Sequence, residues 1–198
     1  MLDVLPLATY CFVMSITPGP NNVMVTASGV TFGYRRTIPH MLGIGLGCGF
    51  QIVLVALGMG VVFERYPEIQ DVLRWAGAIY LVYLAWRLLK AGLVVGEAEG
   101  RARPLNFIEG AAFQWLNPKA WMIAVTTATV FLPKDMSPLL GSLYVALVLF
   151  IVNYPSISVW TLFGTAMRRL LASERLRQAF SIGLALALVG TGAAMLRE

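Results

Sequence analysis

Long apolar segments alternate with short polar ones along the whole chain. Six segments are predominantly apolar and cover about residues 4–26, 39–63, 69–91, 108–132, 138–166 and 178–196. Each approaches or exceeds the roughly 20 residues that a helix needs to cross a hydrocarbon core of about 30 Å. The pattern predicts an all-α integral membrane protein with six transmembrane helices, which form a single transmembrane domain over 1–198.

The first segment contains a motif that cannot continue an ordinary helix, Thr17-Pro18-Gly19-Pro20-Asn21-Asn22. Each proline lacks a backbone N–H, and its ring clashes with the carbonyl four residues earlier. Backbone groups freed inside a membrane must be satisfied by protein, water or ligand, so a break of this kind is typical of a cavity or a substrate site. We therefore predict that the six residues of this motif bind substrate.

The fourth segment also contains a proline beside an asparagine. Pro18 and Pro118 each lie in the first span of a three-span half of the chain. Three spans in one half bring the second half into the membrane from the opposite side, as in inverted-repeat transporters. The sequence thus predicts two inverted three-helix repeats, about 1–91 and 107–198, joined by a linker at about 92–106. Helices 1 and 4 are expected to be broken at their proline motifs.

Lys119 is the one clear charge in the interior of a span. A lysine at a helix centre costs about 2.5–3.5 kcal/mol on insertion scales, and no carboxylate lies at a comparable depth. Two interpretations stay open: the ammonium meets an anionic group of the substrate, or the side chain snorkels to the cytoplasmic edge. The fifth span is expected to be interrupted at Asn153-Tyr154-Pro155-Ser156. The predicted substrate site is completed by Gln114, Asn117, Pro118, Lys119 and Asn153.

Composition and charge restrict the classes of function. The 198 residues are 58% hydrophobic and 13% charged, and six spans leave no room for a soluble domain. The net charge of +5 requires no nucleic acid, because loop lysines and arginines set membrane orientation. Ten of them fall on one set of loops and four on the opposite set, which predicts that the first set is cytoplasmic and that both termini lie outside. The ten are Arg35, Arg36, Arg87, Lys90, Arg101, Arg103, Arg168, Arg169, Arg175 and Arg177.

Other functions depend on a few residues. Cys11 and Cys48 would permit a transmembrane thiol/disulfide electron relay, which needs Cα atoms within about 7 Å. Cys11 is expected in the outer half of span 1 and Cys48 in the inner half of span 2, too far apart for a disulfide. Metal transport is disfavoured because the single histidine, His40, is expected at an interface and the spans hold no acidic cluster. A passive pore for small solutes stays open, and neither a cofactor, a metal nor an enzymatic activity is expected.

Glycines occupy alternate positions at the start of span 2, at Gly43, Gly45, Gly47 and Gly49. Pairs of small residues four apart let two helix backbones approach closely. We expect these glycines to pack against span 1. Glycine-rich faces would serve a homodimer equally well.

Six short motifs are spread over nearly the whole chain. They are Thr17-Pro18-Gly19-Pro20-Asn21-Asn22, Gly33-Tyr34-Arg35-Arg36, Gly43-x-Gly45, Trp75-Ala76-Gly77-Ala78-Ile79-Tyr80-Leu81 with Trp86-Arg87, Phe107-x-x-Gly110-x-x-x-Gln114-x-x-Asn117-Pro118-Lys119-Ala120 and Trp160-x-x-x-Gly164. In combination they resemble the lysine exporter (LysE) and threonine/homoserine exporter family. The resemblance implies a six-span exporter of amino acids or close derivatives in the bacterial inner membrane, driven by the proton gradient. Gly19-Pro20-Asn21-Asn22 is similar to the branch that handles threonine, homoserine and cysteine or O-acetylserine, so a neutral substrate is favoured.

A mechanism follows from the two charged groups of an amino acid. Helix N-termini at the breaks offer N–H groups and a positive dipole end to the carboxylate, and Lys119 would neutralise it. Unwound carbonyls near Thr17 and Asn117 would accept hydrogen bonds from the ammonium. Rocking of one three-span half against the other would then expose the site to each side in turn.

Overall fold

A computed structural model describes residues 4–91, 103–171 and 173–196, and these ranges contain helices and no strand. Both chain ends and most of the linker predicted at 92–106 lie outside the described residues. The helices are α1 (Val4–Ile16), α2 (Pro20–Phe32), α3 (Tyr34–Leu54), α4 (Gly60–Arg65), α5 (Pro67–Ala91), α6 (Phe107–Phe113), α7 (Pro118–Val130), α8 (Pro138–Leu170) and α9 (Glu174–Met195).

Four helical stretches are long and apolar enough to cross a membrane by themselves, which agrees with the prediction of an all-helical membrane protein. They are Tyr34–Phe63, Pro67–Lys90, Pro138–Arg168 and Glu174–Met195. The segments predicted as spans 1 and 4 instead consist of consecutive shorter helices, α1 with α2 and α6 with α7. Three of these four have 13 residues, which corresponds to about 20 Å of helix and is too short for a hydrocarbon core alone.

The breaks in these two segments lie where the prolines predicted them. The chain leaves α1 after Ile16 and starts α2 at Pro20, and it starts α7 at Pro118 after a 3-10 turn over Gln114–Leu116. A proline at the first helical position loses nothing, since that N–H has no partner in the helix anyway. The prolines therefore start new helices here.

The turn between the first two predicted spans is shorter than the sequence indicated. The loop expected over Gly33-Tyr34-Arg35-Arg36 is a single residue, because α2 continues to Phe32 and α3 begins at Tyr34. Gly33 has φ 79°, a left-handed conformation that glycine adopts without steric cost. A second glycine with positive φ, Gly58 at 121°, lies in a π-helical turn where the helix changes direction after α3.

The alternating glycines of α3 pack differently from the prediction. Gly43 and Gly47 face α6, and a Cβ on Gly47 would lie 2.9 Å from Ala111 Cα. Gly45 and Gly49 face α8. The expectation of packing against span 1 is therefore wrong for these four residues. Residues two apart on a helix point about 200° apart, so alternate glycines serve two opposite neighbours.

Span 5 is not interrupted, contrary to the prediction for Asn153-Tyr154-Pro155-Ser156. Helix α8 runs through Pro155 without a break over 33 residues. Asn117 lies directly before Pro118 and caps α7, whereas Tyr154 lies directly before Pro155 and Asn153 donates to Ser15. Pro155 lies on the exposed side of α8, and Ser156 Oγ donates to Val152 O at 2.8 Å on the buried side.

Helix α8 is held close to α2 by a pair of glycines. A Cβ on Gly164 would collide with the carbonyl oxygen of Thr26, and one on Gly29 with the carbonyl oxygen of Thr161. Such contact between backbones fixes the positions of the two helices along their axes relative to each other. The side chains of α8 are thereby positioned beside the end of α1.

Candidate functional site

The backbone carbonyls freed at the first break are each bound by a side chain. Asn22 Nδ2 donates to Ser15 O at 3.0 Å, and Trp160 Nε1 donates to Ile16 O at 3.1 Å. The last carbonyls of a helix have no partner within the helix and are costly when buried in an apolar medium. Asn22 reaches back from α2 and Trp160 reaches in from α8, so the break is fixed on both sides.

The second break is capped and held in a similar way. Asn117 is in an extended conformation and its Oδ1 accepts from Lys119 N at 3.2 Å, which caps α7. Gln114 O accepts from Asn117 N at 3.1 Å and from Gln51 Nε2 at 3.0 Å. Because Gln51 belongs to α3, this helix supports the second break much as α8 supports the first.

Two amide side chains join the breaks directly. Asn21 Nδ2 donates to Gln114 Oε1 at 2.9 Å, and Gln114 Nε2 donates to Asn21 Oδ1 at 3.2 Å. Gln114 is fully buried, and its Oε1 also receives longer contacts of 3.4 Å from Asn117 Nδ2 and Cys48 Sγ. A residue of the first predicted half and a residue of the second therefore share one buried polar cluster.

Lys119 makes a second direct link between the breaks. Its Nζ donates to Thr17 O at 2.8 Å and to Thr17 Oγ1 at 2.9 Å, with Pro18 O at 3.4 Å. Gly19 provides the space, because a Cβ there would lie 3.1 Å from Lys119 Cδ. The half-buried Lys119 side chain thus directs its ammonium into the first break.

The carbonyl of Thr17 has a different partner from the one the sequence suggested. It was expected to accept from a substrate ammonium, but in the structure it accepts from Lys119 and, at 3.4 Å, from Asn22 Nδ2. Asn153, predicted as a site residue, donates from Nδ2 to Ser15 Oγ at 3.0 Å. Its buried Oδ1 has no hydrogen-bond partner among the described residues. Asn153 Oδ1 is therefore the acceptor that stays open at the break.

A small cavity of about 20 Å³ lies where these residues meet. That is room for about one water molecule. Its lining includes seven of the predicted site residues: Gly19, Pro20, Asn21, Asn22, Asn117, Lys119 and Asn153. Thr17, Pro18 and Gln114 contact this group through hydrogen bonds, and Pro118 starts α7 beside it. The structure therefore brings the predicted residues together in one cluster.

Three contributing residues were missed by sequence reasoning. Ser15 binds Asn153, Gln51 binds the backbone of Gln114, and Trp160 binds the end of α1. Gln51 was detectable as an uncharged polar residue in an apolar span, and Trp160 as part of a motif. Ser15 could not be identified from the sequence, because the hydroxyl of a single serine in an apolar segment usually donates to a backbone carbonyl of its own helix.

The single histidine and the two cysteines of the spans lie outside this cluster of hydrogen-bonded breaks or at its edge. His40 is not at an interface: it is buried under α6, where a Cβ on Gly110 would lie 2.9 Å from His40 Cδ2. Cys11 and Cys48 are free thiols, and both belong to one extended buried apolar cluster. No group of three or more metal-ligating side chains occurs within the described ranges.

A charged pair anchors the start of α6. Arg103 binds both carboxylate oxygens of Glu109, at 2.6 and 2.8 Å, and Asn106 and Glu109 form a capping box. The hydrogen bonds to Glu109 raise the pKa of the exposed Arg103 above its ordinary value. The helix that leads to the second break thus has a well-defined first turn.

Comparison with known proteins identifies the family of the chain. Residues 12–198 match the model of the LysE type translocator family. The cysteine/O-acetylserine efflux protein of Escherichia coli is 31% identical over 165 residues, 82% of each chain. The protein of that name from Salmonella typhimurium is 28% identical over 184 residues, 91% of each chain. No solved structure matches the chain significantly. With a family match over almost its whole length, the chain belongs to the LysE type translocators.

Proposed function

We propose that this protein exports small neutral amino acids or close derivatives, of the cysteine and O-acetylserine kind, across the bacterial inner membrane. The observation that carries the proposal is the pair of direct links between the breaks, Asn21 with Gln114 and Lys119 with Thr17. Broken helices that meet are where transporters of the inverted-repeat type bind substrate. The family and the printed names of the relatives support amino-acid export.

The cluster contains partners for both charged groups of an amino acid. The N-termini of α2 and α7 favour an anion, and Lys119 adds a full positive charge for the carboxylate. Asn153 Oδ1 is an open acceptor for the ammonium, and Thr17 O becomes a second one when Lys119 moves away. The cavity lining holds no carboxylate, so a second cation on the substrate would meet Lys119 without compensation. This supports a neutral side chain.

The cavity is too small for any amino acid in this conformation. Substrate binding therefore requires the two breaks to separate, and alternating access would do this by rocking one half against the other. Packing between the helices is consistent with six spans in two inverted repeats: α3 packs on α8, α5 packs on α9, and α1 packs on α8 as α6 packs on α3. In this arrangement α1 with α2 is span 1, and α6 with α7 is span 4.

Orientation and energy coupling complete the proposal. The distribution of ten cationic side chains against four favours termini on the outside. Export against a gradient requires an energy source, and the resemblance favours proton antiport. A homodimer in the lipid bilayer remains a prediction.

The test is export of labelled O-acetylserine by the purified protein in proteoliposomes, with and without an imposed proton gradient. Accumulation that requires the gradient and is abolished by an uncoupler is the expected result. Downhill equilibration unaffected by the gradient would instead indicate a passive pore. Absence of transport for a full panel of neutral amino acids would refute the proposed function.

A matched pair of proline variants tests the site itself. Pro18→Ala with Pro20→Ala should let α1 and α2 join into one helix, which removes the open backbone at the first break and most export. Pro155→Ala is the control, because α8 is already continuous at Pro155 and export should be nearly unchanged. Equal export by both variants at matched membrane abundance would contradict a site at the first break.

A further inference from the structure

A second cavity, larger than the first, lies outside the cluster that joins the breaks. It has a volume of about 270 Å³, near the lower end of small-molecule pockets, which are about 300–1,000 Å³. Its walls come from the turn before α5, the first turns of α5, the second break with α7, and the end of α9. The lining residues are Phe63, Gln70, Leu73, Arg74, Trp115, Leu116, Pro118, Trp121, Met122, Val125 and Met195.

The apolar part of this cavity is a rigid aromatic wall. The rings of Phe63 and Trp121 meet edge to face with centroids 4.9 Å apart, and those of Trp115 and Trp121 with centroids 5.4 Å apart. Trp121 Nε1 donates to Trp115 O at 2.9 Å, so the indole orientation is fixed. Such a wall suits a compact, uncharged side chain.

Arg74 is the charged residue that lines the cavity, and a carboxylate outside the lining pairs with it. This carboxylate belongs to Asp71, which lies one helical turn earlier at a distance of 3.4 Å. Their side chains are 32% and 63% exposed, so this is a loose surface pair with hydrogen-bonding capacity to spare. Glu68 is also exposed on the first turn of α5. This charged rim marks a mouth at the membrane surface and not in the hydrocarbon.

The cavity also reaches the proposed substrate site from its other side. Leu116 and Pro118 line the aromatic cavity, while their neighbours Asn117 and Lys119 line the small one. The backbone of the second break is therefore a shared wall. Helix α5 is tightly packed on this wall, since a Cβ on Gly77 would collide with the carbonyl oxygen of Leu116.

We propose that the aromatic cavity is a second amino-acid site, through which substrate passes after the breaks open. Arg74 holds the carboxylate, Asp71 the ammonium, and the aromatic wall the neutral side chain. A zwitterion matches the two opposite charges, whereas an anionic lipid headgroup would meet Asp71 and Glu68 with like charge. The site rests on the proposed function, and it lies on the outer side in the orientation proposed above.

The decisive measurement is equilibrium binding of labelled O-acetylserine to the full-length Lys119→Met variant, which lacks the charge of the first site. We expect one remaining site, and Arg74→Gln in that background should raise its dissociation constant about tenfold, the effect of one charge-assisted contact. Asp71→Asn should weaken binding as well. Arg65→Gln is the matched control, because Arg65 is exposed at the same end of the bundle and does not line the cavity.

Transport separates the two sites further. In proteoliposomes, Arg74→Gln should raise the half-saturating concentration about tenfold when substrate is added on the outer face, and less than about twofold on the other face. Binding that is unchanged by Arg74→Gln and Asp71→Asn would overturn the second site while leaving the proposed function intact. An effect of Arg74→Gln that disappears in vesicles without anionic lipid would identify a lipid headgroup site and also overturn it. Arg74-dependent binding in a protein that does not transport would uphold the second site and refute the proposed function.

Discussion

Replacement of Lys119 by methionine isolates the contribution of its charge. The variant loses the contacts of Nζ with Thr17 O and Thr17 Oγ1 and the longer one with Pro18 O. A hydrogen bond to a charged group contributes about 1.5–3 kcal/mol, and here the three share one ammonium. The same substitution removes an intramembrane charge that costs about 2.5–3.5 kcal/mol on insertion scales. The free energy of unfolding should therefore change by less than about 2 kcal/mol.

Transport should respond far more than stability to this substitution. If the ammonium binds the substrate carboxylate, loss of that contact lowers the export rate at limiting substrate by about 10-fold to 150-fold. Lys119→Arg should retain only part of the export rate of the unsubstituted protein. A planar guanidinium is wider than an ammonium, and there is little space between this side chain and Gly19.

The assay is export of labelled O-acetylserine from proteoliposomes that contain equal amounts of protein, with thermal unfolding in detergent as the measure of stability. Lys134→Met is the control, since Lys134 lies exposed in the turn before α8. Export by Lys119→Met within about twofold of the unsubstituted protein would refute a role for this charge in binding. Loss of folded protein in Lys119→Met would show that the contacts with Thr17 are structural and would refute the energy balance above.

Three further results are expected. Gly164→Ala should lower the thermal unfolding temperature, because overpacking costs about 1–3 kcal/mol, whereas Gly183→Ala should not, since nothing lies within 4 Å of a Cβ there. Gln114→Leu should reduce both stability and export by removing the amide pair that joins the breaks, and unchanged export would contradict a site there. A variant with Cys11→Ala and Cys48→Ala should still export, and loss of export at normal abundance would favour a thiol relay.

The sequence predicted the fold best at residues whose side chains restrict their own backbone conformation. Pro18, Pro20 and Pro118 cannot lie in the interior of a straight helix without disruption, so the two breaks were predictable. Pro155 shows the limit of this rule, because α8 continues through it as one helix. Asn117 caps α7, while Asn153 is engaged by Ser15 from a distant part of the chain.

Partners distant in sequence could not be predicted from local pattern. Lys119 was correctly singled out as a buried charge, but nothing nearby in the sequence indicates that Thr17 accepts from it. The same holds for His40, whose burial depends on Gly110 of α6. Residue identity thus predicted where a backbone group or a charge would lack a partner in the membrane. The tertiary structure determined which distant group becomes that partner.

The origin of the donors at the end of α1 has a consequence for biogenesis. The carbonyls of Ile16 and Thr17 are bound by Trp160 and Lys119, which the ribosome adds more than a hundred residues later. Until those residues enter the bilayer, a nascent chain that ends in α1 and α2 lacks the donor to Ile16 O and leaves Thr17 O with only the long contact from Asn22 Nδ2. The segment α1 with α2 should therefore be retained in the translocon or beside an insertase until α8 is made. Chains truncated before α8 should be degraded by membrane proteases.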